Sequence, residues 1–232
     1  IAEAHHYVEK VTTGELPFLL TSCCPSWAML AKKYFPDMID EVSQELTPMV
    51  ATARTIKKEH PNAKVVFIGP CASKKLEAMR ADIRSDVDFV ITFEELMGIF
   101  QAKGIEFSDL QDDTGFNHGA TSSGRGYGIA GGVAKAVADC IHELAPDLEV
   151  KTDHAEGLVE CKKMLTLAKL GKRDGYLLEG MACPGGCVGG AGTLTSIPKA
   201  IKAGQDFAAQ SEFKISTQDE TVFEKLGKYT KK

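Results

Sequence analysis

No run of about eighteen or more apolar residues occurs in this 232-residue sequence, so it offers no candidate helix for crossing a bilayer. Ile1 to Lys10 carry three charges and two histidines where a signal peptide would have an apolar core, and a soluble, cytoplasmic protein is expected. A basic face is also lacking. The net charge is -5 and the lysines are scattered, which argues against nucleic acid or an anionic membrane as partner. No internal repeat is found. Cysteine is too sparse for a disulfide scaffold, yet seven is high for this length, and the number is odd. The neighbours Cys23 and Cys24 cannot easily bridge each other, so metal or redox chemistry is the better expectation.

What is present suits a globular protein of one large or two small domains, with 44% hydrophobic and 25% charged residues. The sequence begins at Ile1, part-way along an amphipathic helical pattern, and a further N-terminal portion is expected to precede it. Apolar stretches alternate with helical periodicity, the pattern of an α/β fold with mostly parallel strands. Strands are expected at Pro17–Thr21, Lys64–Gly69, Asp88–Thr92, Leu148–Thr152 and Tyr176–Glu179. The clearest helices are Pro25–Phe35, Thr47–His60, Phe93–Lys103, Ala130–Leu144 and Leu158–Leu170, the last with Leu158, Cys161, Met164, Leu165 and Ala168 spaced for one buried face. Phe107–Tyr127 is polar, glycine-rich and without periodicity, which reads as a long connection. Two short amphipathic helices, Lys199–Gln210 and Glu220–Tyr229, close the chain.

Three expected strands end in cysteines. Thr21-Ser22-Cys23-Cys24-Pro25 follows the first, Gly69-Pro70-Cys71-Ala72-Ser73-Lys74-Lys75 the second, and Met181-Ala182-Cys183-Pro184-Gly185-Gly186-Cys187 the last. In open parallel sheets the carboxyl ends of strands face one crevice, so distant cysteines can meet there. A four-iron, four-sulfur cubane takes four thiolates, supplied from turns, and Cys24, Cys71, Cys183 and Cys187 fit that need. Nearby glycines let the main chain approach a large group and leave N–H groups free for sulfur. Taken singly, a cysteine after a strand is most often a small buried hydrophobe; Cys140 and Cys161, on apolar helix faces, are read that way. The spacing of Cys183 and Cys187 is wider than the common zinc knuckle, which leaves zinc as the weaker alternative.

In this order, and over nearly the whole chain, the three segments resemble the signatures of the iron-only (FeFe) hydrogenases, in the C-terminal two-thirds of their catalytic domain. The resemblance implies an H-cluster: a cubane held by Cys24, Cys71 and Cys183, joined through Cys187 to a two-iron unit with carbon monoxide, cyanide and a bridging dithiolate. It implies that Cys23 passes protons to that bridge, that Lys74 donates to a cyanide and that Glu77 accompanies it. Pro70, Tyr127 and Met181 would line the pocket. Ungapped spacing from the cysteine pair places Ser43 and Glu3 on the family's proton relay, with His6 where another glutamate is usual. Reversible oxidation of dihydrogen to protons and electrons is implied, exchanged with ferredoxin or a similar carrier. So is a fold of two lobes, about 1–110 and 125–232, around the cofactor cleft, lacking the N-terminal segment that supplies one wall of it. Heterolytic cleavage needs an electrophilic open site on iron and a nearby base, both belonging to the cofactor. A thiol with an ordinary pKa near about 8.5 can relay the proton if its neighbours tune it.

Departures from the family pattern are Gly69, where methionine is common, and Val188-Gly189-Gly190-Ala191-Gly192-Thr193-Leu194 after Cys187. They imply a less-studied branch with altered pocket polarity, bias and oxygen response. Two rivals stand beside this reading. Gly126-Tyr127-Gly128-Ile129-Ala130-Gly131 satisfies a dinucleotide fingerprint, though no expected strand leads into it. Hydrogenase-like proteins also act as redox sensors or iron–sulfur assembly factors; the retained Cys23 thiol argues for a working proton route.

Overall fold

The computed structural model describes residues 1–111 and 120–218. The chain opens with helix α1, Ala2–Lys10, followed by the short strand β1, Leu19–Leu20, and helix α2, Pro25–Tyr34. Helix α3, Pro48–Glu59, leads to β2, Val66–Ile68, then α4, Ser73–Ala78, β3, Phe89–Ile91, and α5, Phe93–Ala102. Beyond the connection come α6, Ser122–Gly126, α7, Gly132–Leu144, β4, Lys151–Glu156, α8, Leu158–Lys169, β5, Tyr176–Met181, and α9, Ile197–Ala209. Local chemistry marks several starts. Proline occupies the first turn of α2, α3 and α9, where its missing N–H is no loss. Thr92 and Glu95 form a capping box at α5.

The expected α/β class with small parallel sheets and flanking helices is what the structure has. A three-stranded sheet runs β1-β5-β4 and a two-stranded sheet pairs β2 with β3, all parallel. The larger sheet takes β1 from before the glycine-rich connection and β4 and β5 from after it, so the two sheets do not divide the chain at that connection. The reason lies in register: Leu19 and Leu20 align with Leu177 and Leu178, and all four are fully buried. Each such leucine contributes about 1.5–3 kcal/mol by leaving water. The Trp27 ring lies flat against β5 at Gly180, where an added Cβ would come within 2.0 Å of the indole; its Nε1 donates to the Thr21 carbonyl at 2.9 Å.

Some boundaries differ from the sequence reading. β4 begins at Lys151 rather than Leu148, because an edge strand is defined here by its pairing with β5 and buries only Ala155. Leu148 and Val150 pack on the core from the preceding turn. On α8 the buried face is Cys161, Met164, Leu165 and Ala168, whereas Leu158, the first helical residue, overhangs the surface. Part of the connection is helical: α6 is capped by Thr121, whose Oγ1 accepts from Gly124 N at 3.0 Å. The expected helix at Glu220–Tyr229 lies outside the described residues. Among the described residues no helix is long and apolar enough to cross a membrane.

Candidate active site

Three parallel strands release their chain ends toward one region, and each release carries a cysteine. After β1 comes Cys23, then Cys24, which is the N-cap of α2 and is buried. After β2, Gly69 continues the ladder to Ile91 and Pro70 precedes Cys71. After β5, Cys183 and Cys187 bracket a turn in which Gly185 and Gly186 take φ of 76° and 86°, a conformation that glycine adopts without strain. The Glu156 carboxylate accepts from Gly185 N at 2.8 Å, and Gly186 N donates to the Cys183 carbonyl at 3.1 Å, so this turn is pinned from both sides.

The four cysteines sense one another. Burial pushes the Cys187 thiol up to about 12, and Cys24, Cys71 and Cys183 add to the rise while Lys74 opposes it. Cys183 is raised by burial first and then by Cys24 and Cys71. Cys183 and Cys187, placed beside Cys24 and Cys71, resist ionisation unless a cationic core is present to hold them as thiolates. Among the described residues no three His, Cys, Asp or Glu side chains close around a single ion. A larger iron–sulfur group, reached by one cysteine from the smaller sheet and three from the larger, fits this donor set better than a lone zinc.

The glycine run after Cys187 closes the junction between the two sheets. Gly192 N donates to the Pro70 carbonyl at 2.9 Å, and a Cβ on Gly190 would lie 2.5 Å from that same oxygen. Lys74, on α4, crosses in the other direction: its Nζ pairs with Glu77 Oε2 at 2.6 Å and donates to the Cys23 carbonyl at 3.3 Å. Lys74 and Glu77 are both buried, which the pairing makes tolerable. The Ser26 and Ser73 hydroxyls meet beside them at 2.5 Å.

Beside Cys23 lies a cavity of about 350 Å³ lined by Glu3, Thr21, Ser22, Cys23, Glu45 and Tyr127, among others. Ser43 Oγ donates to Glu3 Oε2 at 2.7 Å, while Glu3 Oε1 and Thr21 Oγ1 are buried without a hydrogen-bond partner among the described residues. Burial raises the Glu3 carboxyl to about 7; the Ser43 hydrogen bond opposes the rise and Glu45 adds to it. Burial also pushes the Cys23 thiol well up, reinforced by Glu179, Cys24, Glu3 and Cys187. Its neighbours therefore hold it in the thiol form rather than poising it near neutrality. The Tyr127 phenol is raised for the same reasons, burial first and then Cys23.

The structure thus brings Cys23, Glu3 and Ser43 together with Tyr127, and places Lys74 and Glu77 against the Cys23 backbone. His6 sits half-buried on α1 and does not line the cavity. Met181 is buried in the large core, and Pro70 serves as the latch to Gly192. Two acidic residues escaped the sequence reading. Glu179, fully buried in β5, accepts from Gly131 N at 2.8 Å and Ala134 N at 2.7 Å at the start of α7. A lone glutamate within the apolar run Tyr176–Met181 was the available signal. It fills the place that a pyrophosphate would need, and α6 rather than a strand precedes the glycines, so the dinucleotide reading fails. Glu45, exposed only in part and two residues beyond Ser43, gave no signal in sequence.

Comparison with known proteins bears on this geometry. The family described as "Iron only hydrogenase large subunit, C-terminal domain" matches residues 1–191. The chain is 29% identical, over 82% of its length, to the periplasmic [Fe] hydrogenase large subunit of Nitratidesulfovibrio vulgaris. Over 43% of its length it is 34% identical to the cytosolic Fe-S cluster assembly factor NAR1 of Phaeosphaeria nodorum, covering 19% of that protein. A solved [FeFe]-hydrogenase structure, HydA1 from Chlamydomonas reinhardtii, superposes with a TM-score of 0.74 at 26% identity, covering 98% of this chain and 76% of that one. The chain spans about half the length of the curated relatives it matches, 55% in the Nitratidesulfovibrio case.

Proposed function

This chain belongs to the family of the iron-only hydrogenase large subunit, C-terminal domain, and from that membership we propose that it carries an H-cluster and interconverts dihydrogen with protons and electrons. Cys24, Cys71 and Cys183 hold the cubane, and Cys187 joins it to the two-iron unit. When bound, that group supplies the open iron site and the base at which dihydrogen is split. The rest is the work of the chain. Cys23 holds a proton at its sulfur and exchanges it with Glu3, whose carboxyl, raised to about 7, can give and take a proton near neutral pH. Ser43 orients Glu3 through the 2.7 Å hydrogen bond. Lys74, paired with Glu77, presents N–H donors beside Cys23 for an anionic diatomic ligand. Pro70 and Tyr127 shape the walls. Electrons pass to ferredoxin or a similar small carrier, the protein works in the cytoplasm, and the two lobes meet with the cofactor between them.

The observation that carries this reading is one cavity lined by both Cys23 and Glu3, with Ser43 hydrogen-bonded to the Glu3 carboxylate. The likeness to an assembly factor favours a second reading, a non-catalytic iron–sulfur protein, but such a protein needs no proton route. Hydrogen production from reduced methyl viologen decides between them, using the full-length protein matured anaerobically beside its Cys23→Ala variant. Turnover in the parent, lost in a variant that keeps its cubane by electron paramagnetic resonance, supports the hydrogenase. A matured parent that holds the cluster and makes no hydrogen sinks it and favours the sensor or assembly role.

A further inference from the structure

Proton transfer needs an end in solvent as well as a beginning at the cofactor. The residue expected to supply it, His6, is not in the cavity wall; Glu45 is. The Glu45 backbone is held on both sides, its N–H donating to Ser43 Oγ at 3.2 Å and its carbonyl accepting from Ser22 Oγ at 3.0 Å. Its carboxylate hydrogen-bonds to none of the described residues, and the residue is partly exposed at the rim. The buried Glu3 Oε1 and Thr21 Oγ1 find no hydrogen-bond partner among the described residues, and the shared space of about 350 Å³, which Glu3, Thr21, Ser22 and Glu45 all line, has room for waters that would satisfy them.

We propose that Glu45 is the solvent-side carboxylate of the proton route, exchanging a proton with Glu3 across the cavity water and with bulk water outside. The inference rests on the hydrogenase reading for its purpose and on the cavity for its geometry. A proton arriving on Glu3 is matched by one leaving its other oxygen through water to Glu45, which releases it and returns to the carboxylate; no electrons move. Glu45 acts through Glu3 and is therefore a positioning and relay group, remote from the reacting atoms. The groups facing this pair are Ser43, Cys23 and Tyr127, and the negative charge of Glu45 favours the protonated form of Glu3.

The experiment has two arms. In the cofactor-free protein, the carboxyl band of Glu3, identified by its loss in Glu3→Gln, is titrated by isotope-edited infrared spectroscopy in the parent, Glu45→Gln and Glu45→Asp. A downward shift in Glu45→Gln that Glu45→Asp largely restores is expected; an unmoved titration overturns the coupling. In the matured protein, Glu45→Gln is expected to lose roughly 10-fold or more in turnover, with a larger solvent deuterium isotope effect, and Glu45→Asp to recover most of it. Unchanged turnover and isotope effect in Glu45→Gln overturn the relay. A parent that makes no hydrogen overturns the hydrogenase reading instead, and the infrared arm then decides the Glu3–Glu45 coupling.

Discussion

In the larger sheet β5 has a strand on each side and helices α2, α7 and α8 packed on it, and five of its six residues are buried. In the smaller sheet β2 and β3 pair, among the described residues, only with each other, with α4 against β3, and Val66, Ile68 and Phe89 are 43%, 45% and 61% exposed. Parallel strands are usually covered on both faces, and two strands alone are marginal in water. The smaller region has a modest core of its own, Met49, Val50, Ala53, Ile83 and Val87. Part of what holds it to the larger one lies at the cysteine site: the Pro70–Gly192 hydrogen bond, the reach of Lys74 to Cys23 and the Ser26–Ser73 contact. The site is therefore also the junction between a well-covered half and a sparsely covered one.

This contrast can be broken by experiment. The largest effect is expected from Trp27→Ala in the covered half, about 3–5 kcal/mol by urea unfolding, because the indole is fully enclosed and Gly180 leaves no side chain to fill the gap. A cost below about 1 kcal/mol would mean that the larger sheet is not the anchor. Next, loading the protein anaerobically with iron and sulfide should slow amide exchange in β2 and β3 more than in β5, and chelation should reverse it, since one proposed ligand, Cys71, comes from the sparse half. Equal protection of both sheets would break the comparison.

A smaller effect depends on pH and belongs to the covered half, through Glu3 on α1. Its carboxyl is raised from 4.5 to about 7 by burial. The stabilisation from the protonated group is thus complete below about pH 4.5 and is lost as pH rises through about 7, by about 1–3 kcal/mol. Relative to Glu3→Gln, the parent should lose stability between about pH 5 and pH 8, measured by urea unfolding at each pH. A constant difference would show that Glu3 is not buried in solution. The smallest effect is expected from Phe89→Ser on the sparse sheet, within about 0.5 kcal/mol, since its ring is mostly in water already. A cost above about 2 kcal/mol would show that the face is covered.

Legibility in the sequence follows the same division between local and distant causes. The cysteine-bearing turns were visible because Pro25, Pro70 and the Gly185–Gly186 pair mark strand ends by their own backbone preferences. Ser43 and Glu3 were reachable only through the family resemblance, since no local pattern joins residues forty apart; the hydrogen bond between them is a finding of the structure. The strand over Leu19 and Leu20 was expected, but its pairing with β5 could not be read, because an apolar run marks a strand without naming its partner. β4 was misplaced toward its apolar flank for a related reason: its partner, not its composition, makes Lys151–Glu156 extended. Glu179 and Glu45 were passed over because a single acid in a strand or a turn carries no spacing to recognise.

The alliance between β1 and β5 bears on how such a chain is made. Leu19 and Leu20 find their neighbours only at Leu177 and Leu178, and the Tyr7 hydroxyl and the Pro17 carbonyl both bond to Gly175. On the ribosome, the first cysteine pair must wait, reduced and unanchored, until more than a hundred and fifty further residues have emerged. Contacts so distant along the chain close slowly. The iron centre proposed to be shared by Cys24 and Cys187 would accordingly be loaded after translation, into a finished polypeptide, with those thiols kept from oxygen in the interval.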